Sequence, residues 1–434
     1  MTRRRLWIRG RNGMPDSLAD ASGAGSFGDL SDERARASWN RFVAGVVLAA
    51  ALVRVVIIVV ARHGGDDLRI YTYFARLINH GVNPYEAPTF GAVKGIYGDN
   101  PIGELGLFAG LLRIHDSPTA IRVLFLFADL ASICVVAFLL RRPYWWRRHL
   151  VVFIAFNPFL LVRDSVYAED KTVLGLALIV LLVTLERGSE LASWSTATVL
   201  GVLKWISAYF ALPLALYWAA RRGTVRTLAV ASACIGVFAL SSLWYSPDSL
   251  VVPFTRRRDR THIEPMHASL MNILHALGVY RRFVPTVLIV VSLLAVYALF
   301  LRSRIDIREA VVLSFASSLA FLPDDTRAEF ILVPLLFVTR LTLKRVAAIW
   351  AASLVGVFGA GVTSGRFESW ARQGRPLTHF LVDLVGGDGS VQFTLLTNTV
   401  LAVVVGMYAW DRLHGRLDVD FARSLRLDAP SRRS

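Results

Sequence analysis

The stretch from Phe42 to Ala61, FVAGVVLAAALVRVVIIVVA, carries a single charge, Arg54, in 20 residues. As a helix it is long enough to cross a hydrocarbon core about 30 Å thick. Lipid offers no partner to backbone N–H and C=O groups, so a segment crossing it must satisfy them internally. Comparable runs recur at about 118–140, 226–245, 283–301, 344–362 and 391–411. None alternates polar and apolar residues as a barrel strand would. The sequence therefore predicts an all-α polytopic membrane protein, and 55% hydrophobic residues in a chain of 434 agree with that.

The net charge of +16 comes almost entirely from arginine. In a soluble chain it would point to nucleic acid. Here the basic residues collect in short loops and tails, as the positive-inside rule requires, and nucleic acid is set aside as a partner. Cys134 and Cys234 both lie in apolar runs without metal-ligand spacing and report nothing on redox compartment. Residues 1–41 are polar, with Arg3, Arg4 and Arg5 followed by a Gly/Ser/Asp-rich stretch. They read as a disordered cytosolic tail, and the first helix comes too late and runs too long for a cleaved signal peptide.

With that tail inside, helix 1 (42–61) leads out and residues 62–117 form a long external segment. Helix 2 (118–140) returns to the arginines of RRPYWWRRH, helix 3 (150–162) rises, and helix 4 (172–186) descends. The run 192–220 is too long for one crossing and holds Lys204 at its middle, so it reads as a pair turning at the lysine. Helix 7 (226–245) rises into an external loop at 246–282. Helices 8 (283–301), 9 (309–322), 10 (328–339), 11 (346–362) and 12 (391–411) follow, before a basic cytosolic tail at 412–434. About twelve crossings result, grouped as a catalytic membrane module (42–245) and a C-terminal one (283–411), with both tails cytoplasmic in a plasma membrane. The apolar run 101–114 reads as a re-entrant or surface helix, and Trp145 and Trp146 as interfacial anchors.

This orientation puts the acidic doublets at helix ends on one face: Asp66 with Asp67, Glu169 with Asp170, and Asp324 with Asp325, with Lys204 and Arg327 at the same level. Carboxylates beside a bilayer are costly, and their gathering on one side points to a shared site. From Leu68 to His80, apolar residues at Leu68, Tyr71, Phe74, Ala75 and Ile78 recur at helical spacing, with Gly81 as cap. The pattern predicts an amphipathic helix lying on the membrane surface, with the acidic pair at its start. Transfer of a sugar from a phospholipid carrier needs a carboxylate there, because the attacking hydroxyl must lose its proton. The lipid phosphate that leaves needs cationic or hydrogen-bonding partners instead. Asp67 has a plainer reading as a helix N-cap, and one member of the doublet can cap while the other faces substrate.

An Asp after the first membrane helix, a Tyr four residues on, then a helix ending G-x-N-P-Y resembles the GT-C superfamily of lipid-phosphate-sugar glycosyltransferases. Within it the chain is most similar to polyprenyl-phosphate-mannose-dependent enzymes, glycosyltransferase family 87 and the first mannosyltransferase of GPI-anchor synthesis. FADLASICVVAFLLRR (127–142, with Asp129), FNPFLLVRDSVYAEDKTV (156–173) and GVLKWISAYFALPL (201–214) resemble further stretches of those families. The likeness covers about 42–220. It implies a GT-C-like fold, a polyprenyl-phosphate-sugar donor, a lipid or glycan acceptor, and Asp67 as the catalytic Asp at the family's spacing from Tyr71. The GPI enzyme's Asp-x-Asp would need an acid at position 65, where this chain has Gly65, followed by Asp66. Metal dependence stays open, with a divalent cation as the one cofactor to consider.

Other candidates follow from residue chemistry. Glu169, Asp170 and Lys171 form the small acidic motif of the second external loop. Lys204 interrupts an apolar run, at a cost of about 3 kcal/mol, and either meets donor phosphate or snorkels to headgroups. Arg256, Arg257, Arg258 and His262 form an external basic run that opposes the positive-inside rule. Guanidinium forks suit phosphate, which fits a lipid-phosphate or phosphoinositide acceptor, or a plain headgroup patch. Asp324, Asp325 and Arg327 either pair locally or help hold substrate.

The leading expectation is thus an inverting glycosyltransferase using a polyprenyl-phosphate monosaccharide, with mannose the sugar the resemblance implies. A twelve-helix secondary transporter is the rival. Such transporters usually show related halves and ionisable groups at the midplane, whereas no repeat joins 42–245 to 283–411 and the acids sit at helix ends. A non-catalytic scaffold or flippase-like subunit is a third class.

Overall fold

The computed structural model describes residues 33–61, 65–86, 100–251, 269–323, 328–363 and 391–414. The chain divides into two compact units, residues 1–44 and 45–434. The described part of the first is the opening of helix α1 (Glu33–Val60), where Trp39 and Phe42 stack with ring centroids 5.4 Å apart.

In the second unit α1 is followed by α2 (Asp66–Asn79), α3 (Ile102–Ile114), α4 (Pro118–Leu139) and α5 (Tyr144–Phe156). Past Asn157, α5 runs on through a short turn and a π-helical turn, Leu161–Val166. Then come α6 (Lys171–Glu186), α7 (Glu190–Lys204), α8 (Ala211–Arg222) and α9 (Thr224–Leu243). After α10 (Met271–Ala276) stand α11 (Val284–Leu301), α12 (Ile307–Ala320), α13 (Ala328–Val338), α14 (Leu343–Thr363), α15 (Val391–Thr397) and α16 (Thr399–Leu413). The described residues are all-helical, with no strand among them.

Among the described residues, five segments are long and apolar enough to cross a membrane: Glu33–Val60, Pro118–Leu139, Tyr144–Val166, Thr224–Leu243 and Val284–Leu301. Several other expected crossings are short helices close to the bounds read from the sequence, and the run 391–411 is divided between α15 and α16. α6, α7, α8, α12, α13 and α16 have between 11 and 16 residues. At a rise of about 1.5 Å per residue they fall short of a hydrocarbon core of about 30 Å. The run 192–220 does split where its lysine stands. α7 ends at Lys204, Trp205 takes a left-handed φ of 57°, and a short 3₁₀ turn leads into α8.

Local chemistry sets these boundaries. Ser117 accepts a hydrogen bond from the Thr119 N–H, and Pro118 opens α4 where a missing donor does no harm. Asp306 and Glu309 form a capping box at the start of α12. Asn157 accepts from the N–H groups of Phe159 and Leu160 and restarts the helix after α5. At the end of α2, Gly81 has φ 72°; its N–H and that of Val82 reach back to Ile78 and Leu77. That pair of bonds satisfies the last carbonyls of the helix, and only glycine meets the φ without strain.

The apolar side of α2 does not face lipid, as its pattern alone suggested. Leu68, Tyr71, Phe74, Ala75 and Ile78 pack on Ile102, Leu105, Phe108, Ala109 and Leu112 of α3 and on Ile121 and Phe125 of α4. The short run 101–114 supplies an apolar partner, and the two helices bury each other's stripe.

At one end of the second unit, ion pairs fasten the helix ends together. Glu186 meets Arg308 at 3.4 Å and Arg142 at 3.8 Å, and it accepts from the Arg141 N–H. Asp411 takes both arms of Arg345, at 2.5 and 2.7 Å. Glu309 pairs with Arg412 and accepts from the Tyr408 hydroxyl. Trp146, expected as an interfacial anchor, is buried edge-on against Phe337 with Arg142 over its ring; Trp145 is exposed.

Candidate active site

At the other end of the same helices, the start of α2 meets the connection from the π-helical turn to α6. Three contacts fix that meeting. Arg122 of α4 donates to the carbonyls of Ile58 and Ala61 at the end of α1 and to that of Ser165 in the π-turn. The Gly65 N–H donates to the Tyr167 carbonyl at 2.8 Å. The Tyr71 hydroxyl donates to Asp170 Oδ1 at 2.9 Å. A Cβ at position 65 would lie 2.8 Å from the Tyr167 oxygen, closer than real Cβ atoms come. The acid that an Asp-x-Asp pattern would place at 65 has no room there.

Two ammonium groups and four carboxyl groups interlock in this joint. Lys171 Nζ stands 2.8 Å from Glu169 Oε2, 2.8 Å from Asp170 Oδ1 and 3.4 Å from Asp67 Oδ2. Lys204 Nζ stands 2.9 Å from Asp170 Oδ2, 3.1 Å from Glu104 Oε2 and 2.9 Å from Asn100 Oδ1. Asp170 is the hub, meeting groups from α2, α6 and α7. Arg163 extends the cluster, 3.8 Å from Glu169 and 3.2 Å from Glu329 at the start of α13. Burial is graded: the side chains of Asp170 and Glu104 are 2% and 3% exposed, whereas that of Asp67 is 38% exposed.

Burial also decides protonation between α2 and α3. It pushes the Glu104 carboxyl well above the usual carboxylate range; Lys204 opposes this, while Asp170, across a side-chain hydrogen bond, adds to it. The Tyr71 hydroxyl is likewise held well above its ordinary value, by burial first and then by Asp170. Tyr71 is therefore a neutral donor to Asp170.

Of the residues singled out in the sequence, Asp67, Tyr71, Glu169, Asp170, Lys171 and Lys204 come together here. Asp67 is not the N-cap of α2; Gly65 holds that place without a side-chain cap bond, and Asp67 points to Lys171 instead. Lys204 neither snorkels nor stands free, because Glu104, Asp170 and Asn100 surround its ammonium. Asp66 is the first residue of α2, but its side chain lies outside what the structure describes. Arg256, Arg257, Arg258, His262, Asp324, Asp325 and Arg327 lie outside the described residues. Asp129, matched to the family's second-helix Asp, is bound by Arg54 at 2.6 Å and holds helices together.

Three members of the site escaped the sequence reading: Glu104, Arg163 and Glu329. Glu104 lies within the run 101–114, read only as a re-entrant or surface helix, and Glu329 stands beside the more conspicuous acidic pair at 324–325. Beside the cluster, a small cavity is lined by Arg54, Arg122, Asp129, Asp164, Ser165 and Ala168 among others. Among the described residues no group of three or more His, Cys, Asp or Glu side chains is arranged to hold a metal ion. The clustered carboxylates meet lysine ammonium groups instead, so the described donor set does not fit a divalent cation. No protein-family model matches the chain, and no curated protein matches its sequence.

Proposed function

We propose that the chain is an integral plasma-membrane glycosyltransferase of GT-C-like architecture, with about twelve crossings, both tails cytoplasmic and its active site extracytoplasmic. It moves a hexose, mannose by the sequence resemblance, from a polyprenyl-phosphate carrier to an envelope lipid or glycan. The observation that carries this reading is the half-exposed Asp67 carboxylate at the rim of an otherwise buried ion cluster. A general base must reach a substrate hydroxyl and be held in one direction. Asp67 meets both needs: it is open to solvent on one side and faces Lys171 on the other.

In the proposed reaction the acceptor oxygen attacks C1 of the sugar as its proton passes to Asp67. The bond from C1 to the phosphate oxygen breaks, and the lipid phosphate leaves as an anion on the opposite face, inverting C1. Lys171 orients the base, and Asp170, Tyr71, Lys204 and Glu104 hold Lys171 and the two loops in register. The leaving phosphate requires cations, for which the sequence offers Arg256, Arg257 and Arg258.

The test is transfer from a labelled polyprenyl-phosphate sugar in membranes carrying the chain. Loss of a general base lowers rates by about 10²–10⁴-fold, so Asp67→Asn should nearly abolish transfer while the variant still inserts and extracts as a folded species. Activity near wild type would remove the central residue of the proposal and favour the transporter reading.

A further inference from the structure

The end of the second unit opposite Asp67 carries a surplus of positive charge. Each described carboxylate there is engaged: Glu186 and Asp306 with Arg308, Glu190 with Arg226, Glu309 with Arg412, and Asp411 with Arg345. Arg222, Arg302, Arg304, Arg340 and Lys344 are exposed beside them and meet no carboxylate among the described residues. In the proposed orientation this end faces the cytoplasm, where the leaflet holds anionic lipid.

A second feature singles out some of these cations. α9 starts two residues after Arg222, and α11 ends directly before Arg302. Both helices leave an apolar side uncovered: Val225, Leu228 and Ile235 of α9 and Val287, Val291 and Leu294 of α11 are exposed. α8 stands beside both. It packs on α9, and the 3₁₀ turn leading into it accepts the Tyr297 hydroxyl of α11; its own Leu212 and Leu216 are exposed. An apolar wall that ends in guanidinium groups complements an amphiphile with an anionic head, the chains against the wall and the phosphate in the fork.

The cations are held where the walls end. Ser303 has a left-handed φ of 53°, and the N–H groups of Ser303 and Arg304 reach back to the carbonyls of Phe300 and Leu299 at 2.9 Å. These bonds close α11 and fix the backbone that carries Arg302 and Arg304. The turn leads into α12, which packs on α8. At the end of α8, Arg221 lies over the Tyr217 ring, 4.7 Å from its centroid, and Tyr217 stands in the field of Arg221, Arg222, Arg308 and Asp306.

We propose that this end seats an anionic phospholipid, its acyl chains along α8, α9 and α11 and its phosphate at Arg222, Arg302 and Arg304. The seat lies at the far end of the helices from Asp67 and stands whether or not the chain transfers a sugar. A lipid bound only to the folded chain stabilises it, and salt weakens the attraction.

The test titrates the detergent-purified full chain with short-chain phosphatidylglycerol and follows the thermal midpoint. The midpoint should rise to a plateau, whereas phosphatidylcholine of the same chain length should leave it in place. Arg302→Gln with Arg304→Gln should raise the half-saturating concentration about 25-fold, at about fivefold for each guanidinium removed. Arg222→Gln should raise it about fivefold and decides the matter should the double variant fold poorly. Arg340→Gln with Lys344→Gln, equally exposed but at the turn between α13 and α14, should change it little. An equal loss in that pair would mean diffuse charge rather than a seat and would overturn the proposal. So would the absence of any rise, an equal rise with phosphatidylcholine, or an equal rise with glycerol phosphate, which has the charge but no chains.

Discussion

Asp170→Asn should destabilise the protein by about 3 kcal/mol, a figure that follows from the contacts of one buried carboxylate. Asp170 accepts from Tyr71 at 2.9 Å and stands 2.8 and 2.9 Å from the ammonium groups of Lys171 and Lys204. Asn keeps the shape but removes the charge, and its amide N–H₂ would point at an ammonium. Removing one partner of a buried ion pair costs about 3–5 kcal/mol. Lys171 keeps Asp67 and Glu169, and Lys204 keeps Glu104 and Asn100, so the low end of that range applies. Thermal scans of the detergent-purified protein at one fixed rate would follow the change, since unfolding of such a chain is read as a rate process. A loss of about 3 kcal/mol lowers the midpoint by roughly 6–12 °C on the scale of domains of 150–250 residues. Lys204→Met in the same background should cost less than it does alone, because the partner is already lost; coupling of about 1–3 kcal/mol is expected for contacting groups. A midpoint within roughly 2 °C of wild type, or strictly additive variants, would refute the view of Asp170 as the hub of a closed ion network.

Glu104→Gln should change how stability depends on pH. The folded protein holds this proton above the ordinary value of 4.5 and the unfolded chain releases it, so wild-type stability falls as pH rises from there, and the Gln variant lacks that loss. Thermal midpoints measured from pH 5 to 8 should diverge in favour of the variant, and parallel curves would count against a protonated Glu104. Gly65→Ala puts a methyl 2.8 Å from the Tyr167 oxygen, so it should cost about 1–3 kcal/mol and lower transfer by displacing Asp67; wild-type stability would mean that the two loops do not meet there. For orientation, Asp116→Cys should react with an impermeant thiol reagent from outside intact cells and Ser189→Cys should not, both positions being exposed; the reverse pattern would invert the topology.

The sequence disclosed the site's members more readily than their partners, and the reason is physical. A charge in an apolar run is conspicuous because it is expensive, so Arg54, Lys204 and the Glu169–Asp170 doublet stood out. Which charges compensate one another depends on helix packing, which no local pattern contains. Arg54 is the one charge of the run 42–61 and Asp129 the one acid of α4, 75 residues apart, and they meet at 2.6 Å; two such charges of opposite sign were a signal that could have been paired. In the proposed orientation Arg163 falls on the side where the positive-inside rule disfavours a cation, and its burial beside Glu169 and Glu329 sets it among partners that no local pattern announces. The amphipathic stripe of α2 gave its helix and its Gly81 cap. It could not distinguish a lipid surface from α3, since both accept an apolar face. At Lys204 the break in the run 192–220 fell where the charge marked it, whereas the helix read as 150–162 starts earlier, restarts at Asn157 and runs on to Val166.

Backbone irregularity and buried charge fall on the same residues, and each accounts for the other. Ala168, with φ 56°, lies three residues before Lys171, and Trp205, with φ 57°, directly follows Lys204. Left-handed φ at residues with a side chain costs on the order of 1–3 kcal/mol each and persists only where neighbours over-determine it. The π-turn at Leu161–Val166 leads into the first of these, and such turns arise often at functional sites. Lys171 opens α6 just after the first of these turns, Lys204 closes α7 just before the second, and both ammonium groups meet Asp170. Fastening helices needs no such geometry: Glu186, Glu309 and Asp411 do it at the opposite end through side-chain ion pairs. What the strained arrangement adds is direction, since it leaves Asp67 as the one clustered carboxylate among the described residues that is more than a third exposed. That is the property a base acting on an external hydroxyl requires, and it is what the Asp67→Asn assay interrogates.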